Sequence, residues 1–240
     1  MYFDAAAFCG NWPYYRLEDS DPAKMLEKLK KEGIEGGFLS SLDAIFYNDP
    51  WEADGPLIAS VRETEWKVAM CVNPTLPWAE ELLCQGKEQG AGAVRLYPCI
   101  HGYQEDDECA VAICRLAGQL GLPVLMTLRV EDVRMAYLLQ QAEPDLQRVG
   151  NLIRRCGDTK FVISNCMVHQ VEELPQSRNV WFDTAGFKGD FYLEQQNRID
   201  PDRILFGSFA PLQCLSSALL NIPEGSKTAV MMENTKELYK

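Results

Sequence analysis

Short apolar runs alternate with longer amphipathic stretches along the whole chain, separated by polar turns, which is the βα rhythm of a mainly parallel sheet. The first run covers Tyr2 to Ala7. A Trp-Pro loop follows, then a helix opened by Asp21-Pro22 as cap and first-turn proline and closed by Gly33. The second run, Gly37 to Leu42, leads to a helix from about Ala53 to Thr64. The third, Lys67 to Asn73, ends at a proline before a helix from about Trp78 to Gln89. After the fourth, Ala93 to Pro98, the acidic residues Asp106, Asp107 and Glu108 suit the positive end of the next helix. The fifth is Pro123 to Leu128, followed by a longer connection and a helix from Leu146 to Arg155. Lys160 to Asn165, Val180 to Thr184 and Arg203 to Ser208 complete the runs, and a last helix is predicted over Lys227 to Tyr239.

Eight such units fit a closed (β/α)8 TIM barrel better than an open doubly wound sheet of five or six strands. The 240 residues suit a single α/β barrel domain, 1–240, since such barrels use about 200–250 residues as one unit. No glycine-rich G-x-G-x-x-G or G-x-x-x-x-G-K-[ST] follows a strand, so neither familiar nucleotide-phosphate cradle is present.

Composition narrows the partners. A net charge of −12 repels a phosphate backbone, and the basic run Lys28-Leu29-Lys30-Lys31 reads as the solvated face of a helix, so nucleic acid is not an expected partner. No stretch is long and apolar enough to cross a bilayer. The opening residues lack the basic and apolar regions of a signal peptide, and a cytoplasmic location is expected. The nine cysteines are scattered without a C-x-x-C pair, which argues against a disulfide framework and against a structural zinc site.

In a barrel the site lies at the carboxyl ends of the strands, so the polar residues there are the candidates. They are Asp4, Ser40, Ser41, Asn73, Arg95, Tyr97, Thr127, Asn165, Asp183 and Ser208, with His101 beyond the fourth strand and "TLRVEDVR" after the fifth. That last segment supplies Arg129, Glu131, Asp132 and Arg134. Carboxylates, guanidinium groups and hydroxyls in this mixture suit an anionic or hydroxylated small molecule. The same groups could instead form a salt-bridge network closing the barrel mouth. His101 on a strand-to-helix loop is either an acid–base group or an idle imidazole. His169 is expected to face solvent, and Cys99 and Cys166 have no sequence-local histidine to activate them. Trp12 and Tyr14 either wall the pocket or pack under the first helix.

At this point the motifs resemble the amidohydrolase superfamily, in its amidohydrolase-related branch of lactonases, decarboxylases and hydratases. "FDAAAFCGNWP" is similar to the D-x-H-x-H-x-G opening strand, "AVRLYPCIHGY" to the fourth strand, "FVISNC" to the sixth, "RILFGSFAPL" to a G-S-D-x-P eighth strand, and "ENTKELY" to the closing helix. The departures fall on the metal positions: Ala6 and Phe8 stand for the first-strand histidines, a residue of "MTL" for the fifth-strand histidine, Asn165 for the sixth and Phe209 for the eighth-strand aspartate. With two histidines in the chain, no histidine-rich metal site can be rebuilt elsewhere.

The resemblance therefore implies a metal-independent hydrolase or lyase of a lactone or small carboxylated compound, without cofactor. Glu131, Asp132 and His101 are its candidate catalytic groups, and Arg95, Arg129, Arg134, Asp4, Asn165 and Asp183 its candidate substrate-binding groups. The alternative is a catalytically silent barrel that binds a small molecule or a protein partner, and a homo-oligomer is compatible with either. A metal held by unusual ligands such as Asp4, Glu131 and Asp183 is the third and least supported reading. Side chains pointing apart, or a mouth filled by Phe8 and Phe209, would count against the catalytic reading.

Overall fold

In the computed structural model, residues 1–135, 137–187, 199–222, 224–226 and 228–239 are described. Eight parallel strands run in chain order: β1 Tyr2–Cys9, β2 Ile34–Ser41, β3 Glu65–Cys71, β4 Ala93–Leu96, β5 Val124–Thr127, β6 Phe161–Ser164, β7 Val180–Asp183 and β8 Ile204–Leu205. The last pairing is made by the chain just beyond β8. Ala5 N–H donates to Phe206 O at 2.7 Å, Phe209 N–H to Ala6 O at 2.9 Å and Phe8 N–H to Ala210 O at 2.8 Å, so β1 is bonded on both edges and the barrel closes.

The outer helices are α1 Pro22–Lys31, α2 Trp51–Val61, α3 Ala79–Gln89, α4 Pro98–His101, α5 Glu108–Gln119, α6 Leu146–Arg155, α7 Val168–Val171, α8 Leu215–Leu220 and α9 Asn234–Tyr239. Their starts follow the expected chemistry. Asp21 accepts from Ala23 N–H and Lys24 N–H with Pro22 in the first turn, and Asp145 accepts from Gln147 N–H and Arg148 N–H at the start of α6. Two local expectations are corrected. The fourth strand stops at Leu96 because Pro98 opens the one-turn helix α4, which puts His101 in a helical turn rather than on a loop. The closing helix is in two parts, a π-helical stretch Ala229–Glu233 running into α9; its predicted start, Lys227, lies outside the described residues.

The barrel bore is filled in layers by the period-two alternation of the strands. One residue from every strand, Ala5, Phe38, Ala69, Ala93, Leu125, Val162, Trp181 and Leu205, makes the lowest apolar layer, with Phe38 and Trp181 occupying space that three alanines leave. Two residues further along, the inward positions turn polar or small: Ser40, Cys71, Arg95, Thr127, Ser164, Asp183 and Gly207, all buried. Above them a second apolar cluster seals the carboxyl end. The outward faces of the strands pack against the helices in a separate, larger core.

Candidate functional site at the carboxyl end of the barrel

Arg95 organises the polar layer. Its side chain is fully buried; Nη1 donates to Thr127 Oγ1 at 3.2 Å and to Ser164 Oγ at 3.3 Å, and Nη2 donates to Ala5 O at 3.2 Å. The guanidinium carbon stands 4.8 Å from the centre of the Phe8 ring, a cation–π contact in a water-free setting. Ser164 passes the charge on, since its hydroxyl donates to Asp183 Oδ2 while accepting from Arg95. The other oxygen of Asp183 accepts from Asn165 N–H at 2.9 Å and Ala185 N–H at 3.1 Å. On β1, Asp4 Oδ1 accepts from Ala6 N–H at 2.9 Å and Ser208 N–H at 3.0 Å.

Burial dominates the proton affinities of this layer. It raises the Asp4 pKa to about 6 against hydrogen bonds from Ser208 and Ala6 that pull it down. Asp183 is raised by burial and pulled back by Ser164, Asn165 N–H and the Arg95 charge. Burial also draws the Arg95 pKa down, opposed by Tyr97, Asp183 and Asp4. Gly207 lets the two strands come this close: a Cβ there would stand 2.8 Å from the Asp183 Cβ and 3.1 Å from the Ala6 Cβ.

Above the polar layer the mouth is apolar. Phe8 and Phe209 meet edge to face with ring centres 4.8 Å apart, both fully buried, and pack with Ala6, Leu42, Ile45, Tyr97, Val130 and Ala185. Phe209 takes a left-handed backbone at φ +55° to turn its ring inward, and Asn165 does likewise at φ +55°. Trp12 lies 5.5 Å from Tyr14 and 5.4 Å from Phe46, all edge to face, so these aromatics wall the mouth rather than pack beneath α1.

The structure does not assemble the proposed catalytic groups around one point. Glu131 accepts from the Tyr15 hydroxyl at 2.6 Å. Asp132 holds Arg134 in a two-pronged pair, both bonds 2.9 Å, with Arg134 exposed. Arg129 pairs outward with Glu143 at 2.9 Å, and Asn165 Nδ2–H donates to Arg129 O at 2.7 Å. His101 donates from Nε2 to Ile45 O at 3.0 Å, and burial lowers its pKa, so the imidazole is neutral and ties α4 to the segment after β2. The single salt-bridge network weighed from the sequence is thus replaced by separate arrangements: Asp4, Arg95 and Asp183 lie inside, and Glu131 and the Asp132–Arg134 pair lie at the rim. His169 is exposed as expected, and Cys99 and Cys166 are buried with pKa values raised by burial, Cys99 to about 12, which removes thiolate character.

Several groups escaped the sequence reading. Ser164 sits one residue before the expected strand end, and Tyr15 reaches Glu131 across 116 positions. Asp54 lies within α2 and is fully buried; Cys71 N–H donates to Oδ2 at 2.7 Å while Oδ1 has no hydrogen-bond partner among the described residues. Burial raises its pKa to about 8 against the Cys71 hydrogen bond. An acidic residue in a helix next to Glu52 reads as solvated from pattern alone, and no local signal marks it otherwise. At the rim, the loop after β1 lines an open cavity of about 420 Å³ that carries both the cations Arg16 and Lys24 and the acids Glu18, Asp19 and Asp21.

No family model matches the chain, and no curated protein matches its sequence. Solved structures do match its fold. A 2,6-dihydroxybenzoate decarboxylase from Rhizobium superposes with a TM-score of 0.71 at 15% identity, covering 99% of this chain and 98% of that one. A 5-carboxyvanillate decarboxylase from Sphingomonas paucimobilis gives 0.71 at 12%, with the same coverage. A dihydroxybenzoic acid decarboxylase from Polaromonas, with bound manganese and 2-nitroresorcinol, gives 0.71 at 13%, covering 99% and 96%.

The residues here do not fit a metal of that kind. The resemblance places ligands at positions now held by Ala6, Phe8, a residue of "MTL", Asn165 and Phe209; Ala6, Phe8 and Phe209 offer no ligand atom, the Thr127 hydroxyl faces the Arg95 cation, and the Asn165 amide oxygen is a weak neutral donor by itself. Among the described residues no three His, Cys, Asp or Glu side chains converge on one point, which disposes of the set Asp4, Glu131 and Asp183 as well. The chain is a (β/α)8 barrel with the fold of these decarboxylases, and its carboxyl end carries a guanidinium-centred polar layer under an aromatic plug.

Proposed function

We propose that this chain is a divergent amidohydrolase-related barrel that has given up metal-dependent catalysis and binds a small hydroxylated or carboxylated compound without turning it over. The observation that carries this reading is the plug: the positions where the resemblance expects ligands hold Ala6, Phe8 and Phe209, all fully buried and packed on one another. Substrate cannot approach the axis through that packing without rearranging it. The ligand's place is the rim cavity in the loop after β1, whose lining includes Trp12 and Tyr15, the cations Arg16 and Lys24 for a carboxylate, and the acceptors Glu18, Asp19 and Asp21 for hydroxyl groups. Support for the ligand class comes from structural neighbours, which include decarboxylases named for 2,6-dihydroxybenzoate and 5-carboxyvanillate.

A second reading rests on one contact. The Tyr15–Glu131 pair at 2.6 Å places a carboxylate and a phenol together beside that cavity, and Glu131 could serve there as a general base without a metal. One experiment separates the two. Thermal denaturation with a panel of hydroxylated aromatic acids and lactones, in EDTA, is expected to show a concentration-dependent rise in the midpoint, with the compound recovered unchanged by chromatography. A product that disappears in Glu131→Gln favours the second reading. A panel without any stabilising compound removes the ligand-binding proposal.

A further inference from the structure

We propose that Arg95 is the built-in cation of this barrel, a guanidinium that does at the axis what the resemblance assigns to a metal ion, holding Asp4 and Asp183 in one electrostatic unit that needs no added ion. It stands apart from the ligand reading, since a fixed internal charge is compatible with turnover or with binding alone.

The placement argues for it first. Three strand ends supply expected metal ligands on the first, fifth and sixth strands, and Arg95 reaches all three: it lies over the ring of Phe8, donates to Thr127 within "MTL", and donates to Ser164, the neighbour of Asn165. Arg95 stands on β4 and its Nη2 donates to Ala5 O on β1, so its side chain crosses the bore between strands that are not neighbours.

Charge argues for it next. Two carboxylates fully removed from water require compensation, and an isolated one would be strongly destabilising. Arg95 is the one cation in the inward-facing layer among the described residues, joined to Asp183 through the Ser164 hydroxyl and to β1 at Ala5 O, the carbonyl next to Asp4. A guanidinium is always charged and presents a rigid planar fork, so it can serve several walls at once as a metal would, and Lys could not copy that geometry.

The test is a thermodynamic cycle on the full chain. Wild type, Arg95→Met, Asp183→Asn and the double variant are unfolded by heat in EDTA, and wild type again in Zn²⁺ and in Mn²⁺. Arg95→Met is expected to lower the midpoint by about 10 °C, as removal of one partner of a buried charge arrangement does in a chain of this size. The double variant is expected to regain at least half of that loss, and Arg95→Lys to fall between Arg95→Met and wild type. Wild type is expected to unfold within about 1 °C of the same temperature with and without metal, because one cation already fills the role. Additive losses in the double variant, or a rise of several degrees in wild type on adding either metal, would overturn the proposal. If Arg95→Met does not fold, a folded double variant supports it and an unfolded one refutes it.

Discussion

Asp54 hangs from α2 over the end of β3, and its carboxyl is both fully buried and short of one hydrogen-bond partner. With its pKa held near 8 by burial, the folded protein keeps a proton that the unfolded chain releases near 4. Over the interval between those values the folded state binds more protons, so its stability falls as pH rises and the loss is complete above about 8. The slope from this one group is about 1.4 kcal/mol per pH unit. Asp4, raised to about 6, and Asp183, also raised by burial, add to the same trend, so the part due to Asp54 is the difference between wild type and a variant that lacks its titration. Asp54→Asn keeps an acceptor for Cys71 N–H and removes the titration. Urea unfolding at pH 6, 7 and 8 is expected to show stability falling more steeply with pH in wild type than in the variant; parallel profiles would remove Asp54 as a cause.

At the scale of elements, the strands were legible because their side chains alternate with period two on a surface buried on both faces, as "KVAMCV" and "FVIS" already state. Helices with a cap were equally legible, α1 and α6 above all, since Asp21 and Asp145 satisfy N–H groups within three residues. What local patterning missed were the one-turn helix α4 and the six-residue α8, which are too short for periodicity to register. The contact between β7 and the chain after β8 was also hidden. Gly207 reads as one residue of the eighth strand run, with nothing local to mark its partner, yet it faces Asp183 with no room for a methyl group. Gly207→Ala is expected to cost about 1–3 kcal/mol through overpacking, visible as a lower midpoint in chemical denaturation, whereas Gly225→Ala, with nothing near its would-be Cβ, is expected to leave the midpoint unchanged.

For the whole molecule, the plug packs the first strand and the chain after the eighth against residues from several other strand ends, and should matter to stability as core packing does. Phe209→Ala is expected to lose about 3–5 kcal/mol and leave an apolar hollow against Phe8. Benzene or indole added to that variant is expected to return part of the lost midpoint, as small apolar molecules do in dry engineered cavities, and to do nothing for wild type. No recovery would mean that the mouth collapses on itself when the ring is removed.

The sequence by itself determined the number and order of the strands, the closed barrel they count to, the caps of its clearest helices and the identity of the residues at the metal positions. These are local properties, read from alternation, capping side chains and residue type. Only the tertiary structure decided that Ala6, Phe8 and Phe209 form one plug, that Arg95 bridges strands 32 and 69 positions away to reach Thr127 and Ser164, and that Glu131 meets the Tyr15 hydroxyl. A side chain's partners across a barrel depend on strand stagger and on which neighbours exclude water, and neither is written in the spacing of a single strand.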